Sequence, residues 1–308
     1  MKVQPTGVSR DGTRHYEVSG IPGAQKEVPL HTVEELPLGK LPADVIEAAA
    51  GNVAAYSIGF VRVENTPRGQ DAVLLGSGTL ISIGSTYAAL TAHHVLSILP
   101  RTGRLGLILS PTPQPHTVDT QGLTFLEIAR GTIDADGPDL GAVIFAPSIV
   151  SAIAARKTFY NVDLRRDQML NSPPDIRNGF WFVNGFVAEK TVEEPGRDGF
   201  GMVKGFYNLS GAGGPDEPVV VGDHDYHAFP VSYDSRTVAP KSFGGMSGGG
   251  LWQVPLVRGP QGQITHRTPL LSGVVFYQEP TTDTYCGIKA HGRASLYRVA
   301  YEAIQRRT

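Results

Sequence analysis

The sequence predicts an all-β fold with one short helix ahead of the strands and another at the end of the chain. Its 37 glycines and 23 prolines in 308 residues indicate many turns and short strands rather than long helices. Short apolar runs separated by turn residues recur at nearly regular spacing in two successive stretches, a pattern typical of β-barrels or sandwiches. With 41% hydrophobic and 18% charged residues, the chain can also bury a sizeable core.

The pattern of apolar, polar and turn residues divides the chain into five parts. Residues 1–51 form an N-terminal extension that is polar at first and ends in a short helix. The stretches 52–150 and 179–292 are the two strand-rich parts, and the less regular segment 151–178, with one helix expected near its start, connects them. Residues 293–308 close the chain with a helix.

That last helix is predicted to be amphipathic, because apolar residues recur at helical spacing along it. Its apolar face consists of Leu296, Val299, Ala300 and Ile304.

Charge and composition narrow the expected location and partners. The net charge is −2 and no block of like charges occurs, so neither nucleic acid nor a membrane surface is an expected partner. The polar start lacks the apolar segment of a secretory signal, and no stretch approaches 18 apolar residues. The single cysteine, Cys286, excludes an intramolecular disulfide, which fits a reducing compartment, although an exported chain without its signal would look the same. We expect a cytoplasmic protein.

A cluster of glycines surrounds one hydroxyl in "GGMSGGGLW", residues 244–252. A serine attacks a carbonyl only if a base removes its proton and donors receive the charge that develops on the oxygen. Glycines allow backbone amides to converge on one point, so the amides of Gly245, Met246 and Ser247 are candidate oxyanion donors and Ser247 the candidate nucleophile. A tight turn between two strands would explain the same glycines without any chemistry.

Two further residues fit this chemistry. "ALTAHHV" (89–95) places histidines at the end of an apolar strand, and "GPDLGAVIF" (137–145) places Asp139 just before another. A carboxylate there could orient an imidazole, although a lone histidine or strand-entry aspartate usually has no such role. Asp134 and Asp136 compete with Asp139 for it.

On these residues the chain resembles the chymotrypsin-like (trypsin-fold) serine peptidases, most closely the bacterial, disulfide-free type. The resemblance covers about residues 52–307. It is carried by Gly76 to Ile81, by Thr91-Ala92-His93-His94, by Asp139-Leu140-Gly141-Ala142 and by Gly245-Met246-Ser247-Gly248-Gly249.

The resemblance implies two six-stranded antiparallel β-barrels and a serine endopeptidase that needs no metal or other cofactor. It assigns the general base to His94, the orienting carboxylate to Asp139 and the nucleophile to Ser247. It also implies that Ser272 and Gly273 lie on the strand that pairs with substrate backbone. The expected partners are a protein or peptide substrate and a regulatory protein.

Two positions depart from the family. Where members made as inactive precursors carry an aspartate, this chain has Met246, so activation by a newly cut N-terminus is not expected. Where the trypsin type carries an acidic residue for specificity, this chain has Lys241. If a buried Lys241 ammonium lines the pocket, it disfavours substrates with Arg or Lys before the cut.

Three alternatives remain open. The barrels could form a non-catalytic binding module. Gly-x-Ser-x-Gly also fits an α/β-hydrolase esterase, although the residues after the serine favour a strand over a helix. "GDHDYH" (222–227) could hold a metal, but its spacing matches no firm ligand pattern.

Overall fold

The protein is described here from a computed structural model. The structure describes residues 38–66, 69–110, 116–131, 137–195, 202–233 and 239–307, together with the strands at 3–8, 14–18 and 31–32. Backbone contacts divide the chain into Met1–His31 and Thr32–Thr308. The first unit contains an antiparallel pair, β1 (Val3–Val8) and β2 (Arg14–Val18), and β3 (His31–Thr32) lies at the boundary.

The second unit begins with helices. A 3₁₀ turn, Leu38–Lys40, precedes α1 (Ala43–Ala54), so Pro42 stands immediately before the helix rather than inside its first turn. Proline suits this place because the first amides of a helix have no intrahelical acceptor.

The first large sheet contains seven antiparallel strands, from Ser57 to Phe145. They are β4 (Ser57–Thr66), β5 (Gly69–Ile83), β6 (Thr86–Thr91), β7 (Arg104–Ile108), β8 (His116–Asp119), β9 (Leu123–Ala129) and β10 (Leu140–Phe145). Their order in the sheet is β8-β7-β4-β5-β6-β10-β9. A short strand, β11 (Tyr160–Asn161), adds to β5 in parallel. The helix α2 (His93–Ile98) follows β6, and a 3₁₀ turn, Thr120–Gly122, precedes β9.

Two helices, α3 (Pro147–Ala154) and α4 (Asp163–Asn171), lie in and beside the connecting segment, where the sequence predicted only one. The second was missed because its sequence, "DLRRDQMLN", is mostly polar and buries only Met169.

The second large sheet follows, also with seven antiparallel strands. Its strands are β12 (Phe180–Phe186), β15 (Asn208–Gly213), β16 (Val219–Val221), β17 (His224–Ser232), β18 (Gly250–Val254), β21 (Leu270–Gln278) and β22 (Tyr285–His291). Two antiparallel pairs lie outside this sheet. They are β13 (Val192–Pro195) with β14 (Met202–Gly205), and β19 (Leu256–Arg258) with β20 (Ile264–His266). The large sheet runs β15-β12-β18-β21-β22-β17-β16. A 3₁₀ turn, Ala188–Lys190, follows β12.

The fold is therefore mostly β, and it includes a sheet curled into a half barrel. The predicted pair of six-stranded barrels is not confirmed, because each large sheet in the described part of the chain is an open path of seven strands.

Two of the apolar clusters in the described part of the chain show how its strands and first helix pack. One lies within the first sheet and includes Ile58, Phe60 and Leu80, all fully buried. The other joins Val53 of α1 to Trp252 of β18. Burying an aromatic side chain of this size stabilises the fold by about 2–3 kcal/mol.

The C-terminal helix differs from a regular α-helix. Ser295–Ala300 forms a π-helical turn that continues into α5 (Tyr301–Gln305). Of the predicted apolar face, Val299 is only half-buried, whereas Tyr297 is fully buried and donates to the Leu271 carbonyl at 2.8 Å. An i→i+5 turn rotates side chains differently from an α-helix, which explains the shift. No helix in the described ranges is both long and apolar enough to cross a membrane.

Candidate active site

A histidine and an aspartate are hydrogen-bonded at one edge of the first sheet, where one strand ends beside the start of its neighbour. β6 ends at Thr91 and β10 begins at Leu140, and the two strands are antiparallel neighbours. Both oxygens of the Asp139 carboxylate accept from His94: Oδ2 from the ring Nδ1 at 2.5 Å and Oδ1 from the backbone amide at 2.9 Å. A carboxylate only accepts, so Nδ1 is the donor in this contact, and Nε2 is the nitrogen that has a lone pair whenever the ring is neutral.

Burial separates the two partners of this pair. The Asp139 side chain is 2% exposed, whereas the His94 ring is 23% exposed. The carboxylate is therefore held inside the protein while the ring reaches a surface from which a substrate can approach.

The adjacent histidine points to a different acid. The ring of His93 lies 3.9 Å from the Glu127 carboxylate, so the structure joins only His94 to Asp139. The competing Asp134 and Asp136 lie outside the described residues.

The glycine-rich segment forms a tight loop ahead of β18. Gly245 has φ +95° and Gly248 has φ +92°, conformations that L side chains rarely adopt. A Cβ at Gly248 would collide with the Ser77 carbonyl oxygen, so the loop also requires glycine for close approach to β5.

Every carbonyl of this loop from residue 244 to 248 accepts a hydrogen bond from within the protein. The carbonyl of Gly244 accepts from Ala188 N (2.8 Å), Gly245 from Ser77 Oγ (2.7 Å), Met246 from Gly249 N (2.7 Å), Ser247 from Ser77 N (2.9 Å) and Gly248 from Thr79 Oγ1 (3.0 Å). The peptide planes of the loop are thus fixed individually.

Two amides of the loop remain without an acceptor. Within the described residues, neither Gly245 N nor Ser247 N donates a hydrogen bond. Met246 N, which the sequence also placed among the oxyanion donors, donates instead to the Phe243 carbonyl at 2.9 Å. Of the three predicted donors, the Met246 amide is therefore already engaged, and Met246 has a fully buried core side chain.

The Ser247 hydroxyl donates to the Phe276 carbonyl at 3.4 Å. In the described part of the chain no hydrogen bond joins it to His94. Ser77 contacts both segments: its amide donates to the Ser247 carbonyl, and its carbonyl accepts from the side-chain hydroxyl of Thr91, three residues before His94, at 2.8 Å. Ser77 therefore bonds to the loop and to the strand that leads to His94.

The predicted substrate-binding strand needs a correction. Ser272 and Gly273 are both buried inside the second sheet, where Gly273 pairs with Leu251 and approaches the His291 carbonyl. Neither can pair with a substrate backbone. The residue of β21 that contacts the Ser247 hydroxyl is Phe276, which lies beyond Val274, the last residue of β21 that pairs with β18.

Lys241 is exposed and not buried in a pocket, which corrects the second expectation. Its ammonium lies 3.9 Å from the centre of the Tyr233 ring. The Gln278 side chain connects the backbone around Lys241 to the strand end: its Oε1 accepts from Phe243 N at 2.7 Å, and its Nε2 donates to the Lys241 carbonyl at 3.1 Å.

A buried histidine, His291, also contacts Asp139. His291 Nε2 accepts from the Asp139 amide at 3.1 Å, and its ring centre lies 4.8 Å from that of Phe276. Burial lowers the pKa of His291 to about 4, so the ring is neutral near pH 7. No local motif marks this residue, and the sequence provided no signal for its contact with Asp139.

Two residues of "GDHDYH", Asp225 and His227, have structural partners. The Asp225 carboxylate accepts from the amides of Ala294 (3.0 Å) and Ser295 (2.8 Å), which anchors the start of the C-terminal helix. The ring Nδ1 of His227 contacts the Asp216 carbonyl at 3.3 Å. Among the described residues, no group of three or more His, Cys, Asp or Glu side chains is arranged to hold a metal.

Comparison with known proteins identifies no relative by sequence: no family model and no curated protein matches. Among solved structures, the chain is similar to catalytically inactive tobacco etch virus protease complexed with substrate, at 11% identity and a TM-score of 0.34. The match covers 78% of this chain and 79% of the viral one. A likeness this weak shows nothing about function.

Proposed function

We propose that this protein is a serine endopeptidase with Ser247 as nucleophile, His94 as general base and Asp139 as the group that orients the base. One observation carries the proposal. Two loop amides have no acceptor among the described residues: that of Ser247 itself and that of Gly245, two positions before it. The carbonyls of residues 244–248, by contrast, all accept hydrogen bonds. Such a preorganised pair of donors is what a developing oxyanion requires.

The reaction follows from these groups. As Ser247 Oγ attacks the peptide carbon, Nε2 of His94 takes its proton, and the carbonyl oxygen gains a charge that the Gly245 and Ser247 amides stabilise. The imidazolium, held by the Asp139 carboxylate, then gives the proton to the leaving amine. Water, activated by the same ring, hydrolyses the acyl-enzyme and releases the acid. The balance of atoms and charge requires no cofactor.

The hydroxyl must change partner for this chemistry. The mechanism requires a rotation about the Cα–Cβ bond of Ser247 that releases Oγ from the Phe276 carbonyl, so that it can donate to Nε2 of His94. The present bond is long, at 3.4 Å, so the rotation gives up little. Catalytic hydrogen bonds commonly tighten only when substrate is bound.

The finer architecture belongs to the same proposal. The two large sheets would be the two barrels of a chymotrypsin-like peptidase, with 52–150 carrying His94 and Asp139, 179–292 carrying Ser247, and 151–178 connecting them. The substrate would be a protein or peptide. Met246 has no charge to pair with a new N-terminus, so control by a regulatory protein partner fits better than activation by cleavage.

Of the alternatives, the esterase of the α/β-hydrolase type is wrong, because the loop leads into β18 and not into a helix, and the strands of its sheet are antiparallel. A non-catalytic binding module retains one observation in its favour: the hydroxyl of Ser247 bonds to Phe276 rather than to His94.

Labelling with a fluorophosphonate probe separates these two readings, because the probe reacts only with an activated serine. We expect the wild-type protein to be labelled once, and Ser247→Ala not at all while remaining folded. Ser242→Ala is the matched control, since it removes an exposed hydroxyl five residues earlier in the same segment. A folded wild-type protein that is not labelled contradicts the proposed function and leaves the binding module.

A further inference from the structure

We infer that Ser77 is a positioning residue, which holds the Gly245 and Ser247 amides in place from the opposite sheet. This inference rests on the proposed function. Ser77 lies in β5 of the first sheet, whereas the loop precedes β18 of the second, and its side chain is fully buried.

All polar groups of Ser77 are used at this junction. Its hydroxyl donates to the Gly245 carbonyl at 2.7 Å and accepts from the Phe186 amide at 2.8 Å. Its amide donates to the Ser247 carbonyl at 2.9 Å, and its carbonyl accepts from Thr91 Oγ1 at 2.8 Å. One residue thus contacts the loop on both sides of Met246 and the strand that leads to His94.

The hydroxyl has the most specific part in this arrangement. The peptide between Gly245 and Met246 is fixed at both ends, by Ser77 Oγ at its carbonyl and by the Phe243 carbonyl at its amide. If the hydroxyl is lost, the partly buried Gly245 carbonyl loses its donor, and this peptide can rotate to find another. Rotation would change the direction of both neighbouring amides, those that receive the oxyanion.

A generic packing role predicts a different outcome from a positioning role. Loss of packing lowers the fraction of folded protein, whereas misdirected amides slow the chemical step in every folded molecule and leave the encounter with the reagent unchanged. Saturation kinetics with a fluorophosphonate probe measure these effects separately, as the limiting labelling rate kinact and the half-saturating probe concentration KI.

The test compares Ser77→Ala with Ser57→Ala. Ser57 is also buried, lies on the neighbouring strand β4 and accepts from Asn208 Nδ2 at 3.0 Å, so the same atom is removed without touching the loop. Removal of one oxyanion donor costs about 10²–10³ in rate, and loosening two donors should cost about 10–100-fold. We therefore expect kinact to fall by that factor in Ser77→Ala, with KI within about threefold, and Ser57→Ala to match the wild type.

The possible results are distinguishable. If kinact of folded Ser77→Ala lies within about twofold of the wild type, or if Ser57→Ala falls equally, the role of Ser77 is refuted while the proposed function stands. If the folded wild type is not labelled, both fail. Should Ser77→Ala not fold, Ser77→Cys, which fills the space with a weaker donor, replaces it, and the same threshold applies.

Discussion

Replacing Asp139 by asparagine tests the contact between the Asp139 carboxylate and His94. In the native protein both carboxylate oxygens accept from His94, one from the backbone amide and one from the protonated Nδ1. Asparagine keeps one oxygen and exchanges the other for an NH₂ group, which can only donate. The side chain therefore cannot satisfy both contacts in either orientation.

The size of the effect follows from these two orientations. If the amide oxygen faces the backbone, the NH₂ group faces Nδ1 and forces the ring proton to Nε2, where it blocks the acceptance of the serine proton. If the side chain is reversed, two donors face each other in a site that is 2% exposed. The wrong tautomer costs about 10⁴ in kcat, which corresponds to about 5.5 kcal/mol of activation free energy.

The assay is the rate of fluorophosphonate labelling, followed by peptide hydrolysis once a substrate is found. Glu127→Gln is the matched control, because it neutralises the acid beside the other histidine, His93, and should leave the rate unchanged. Asp134→Asn should also have almost no effect. A loss below about tenfold in Asp139→Asn, or an equal loss in either control, would refute the assignment of the orienting acid.

Three further outcomes are expected. His94→Ala should reduce labelling on the order of a millionfold, as other triad losses do, whereas His93→Ala should stay within a few-fold; a reversed result would shift the histidine block by one residue. Lys241→Ala should leave the peptide-library cleavage profile unchanged, because the ammonium is exposed and does not line a buried pocket; loss of an acidic preference in this variant would contradict the structure. Stability should depend on pH through His291, because burial lowers the pKa of this ring to about 4, against about 6.5 in the unfolded chain. Between these values the unfolded chain binds a proton that the folded protein does not, so this contribution is complete above about pH 6.5 and is lost as the pH falls towards 4, by up to about 3 kcal/mol. Urea unfolding from pH 4.5 to 7 measures it, and His291→Phe should flatten the profile; an unchanged slope would show that another group titrates.

The sequence predicts those features of the site that depend on residues close together in the chain. The loop around Ser247 could be predicted from its glycines. Gly245 and Gly248 both have positive φ, a backbone conformation that other residues rarely adopt in any context. The pairing of His94 with Asp139 was also predictable as a hypothesis, since each residue stands at the end of an apolar run that reads as a strand.

The errors concern the partners of backbone groups. Met246 looked like a third oxyanion donor, but the turn of the loop directs its amide to the Phe243 carbonyl. The resemblance placed Ser272 and Gly273 on the strand that pairs with substrate backbone, but both are buried in the second sheet, where Gly273 pairs with Leu251 of β18. Whether an amide is free is decided by what lies opposite it, and periodicity along one strand does not contain that information.

The sequence by itself determined that this chain is mostly β, that it carries helices ahead of the strands and at its end, and that one serine lies in a loop only glycines can form. Only the tertiary structure decided which residues stand behind that loop. Ser77 and His291 lie 170 and 44 residues from Ser247 in the chain. Ser77 belongs to the run Gly76 to Ile81, but neither that run nor the sequence around His291 shows the hydrogen bonds that bring these residues to the loop and to Asp139. Local propensity acts over a few residues, whereas the orientation of a buried amide depends on partners that only the packed sheets bring together.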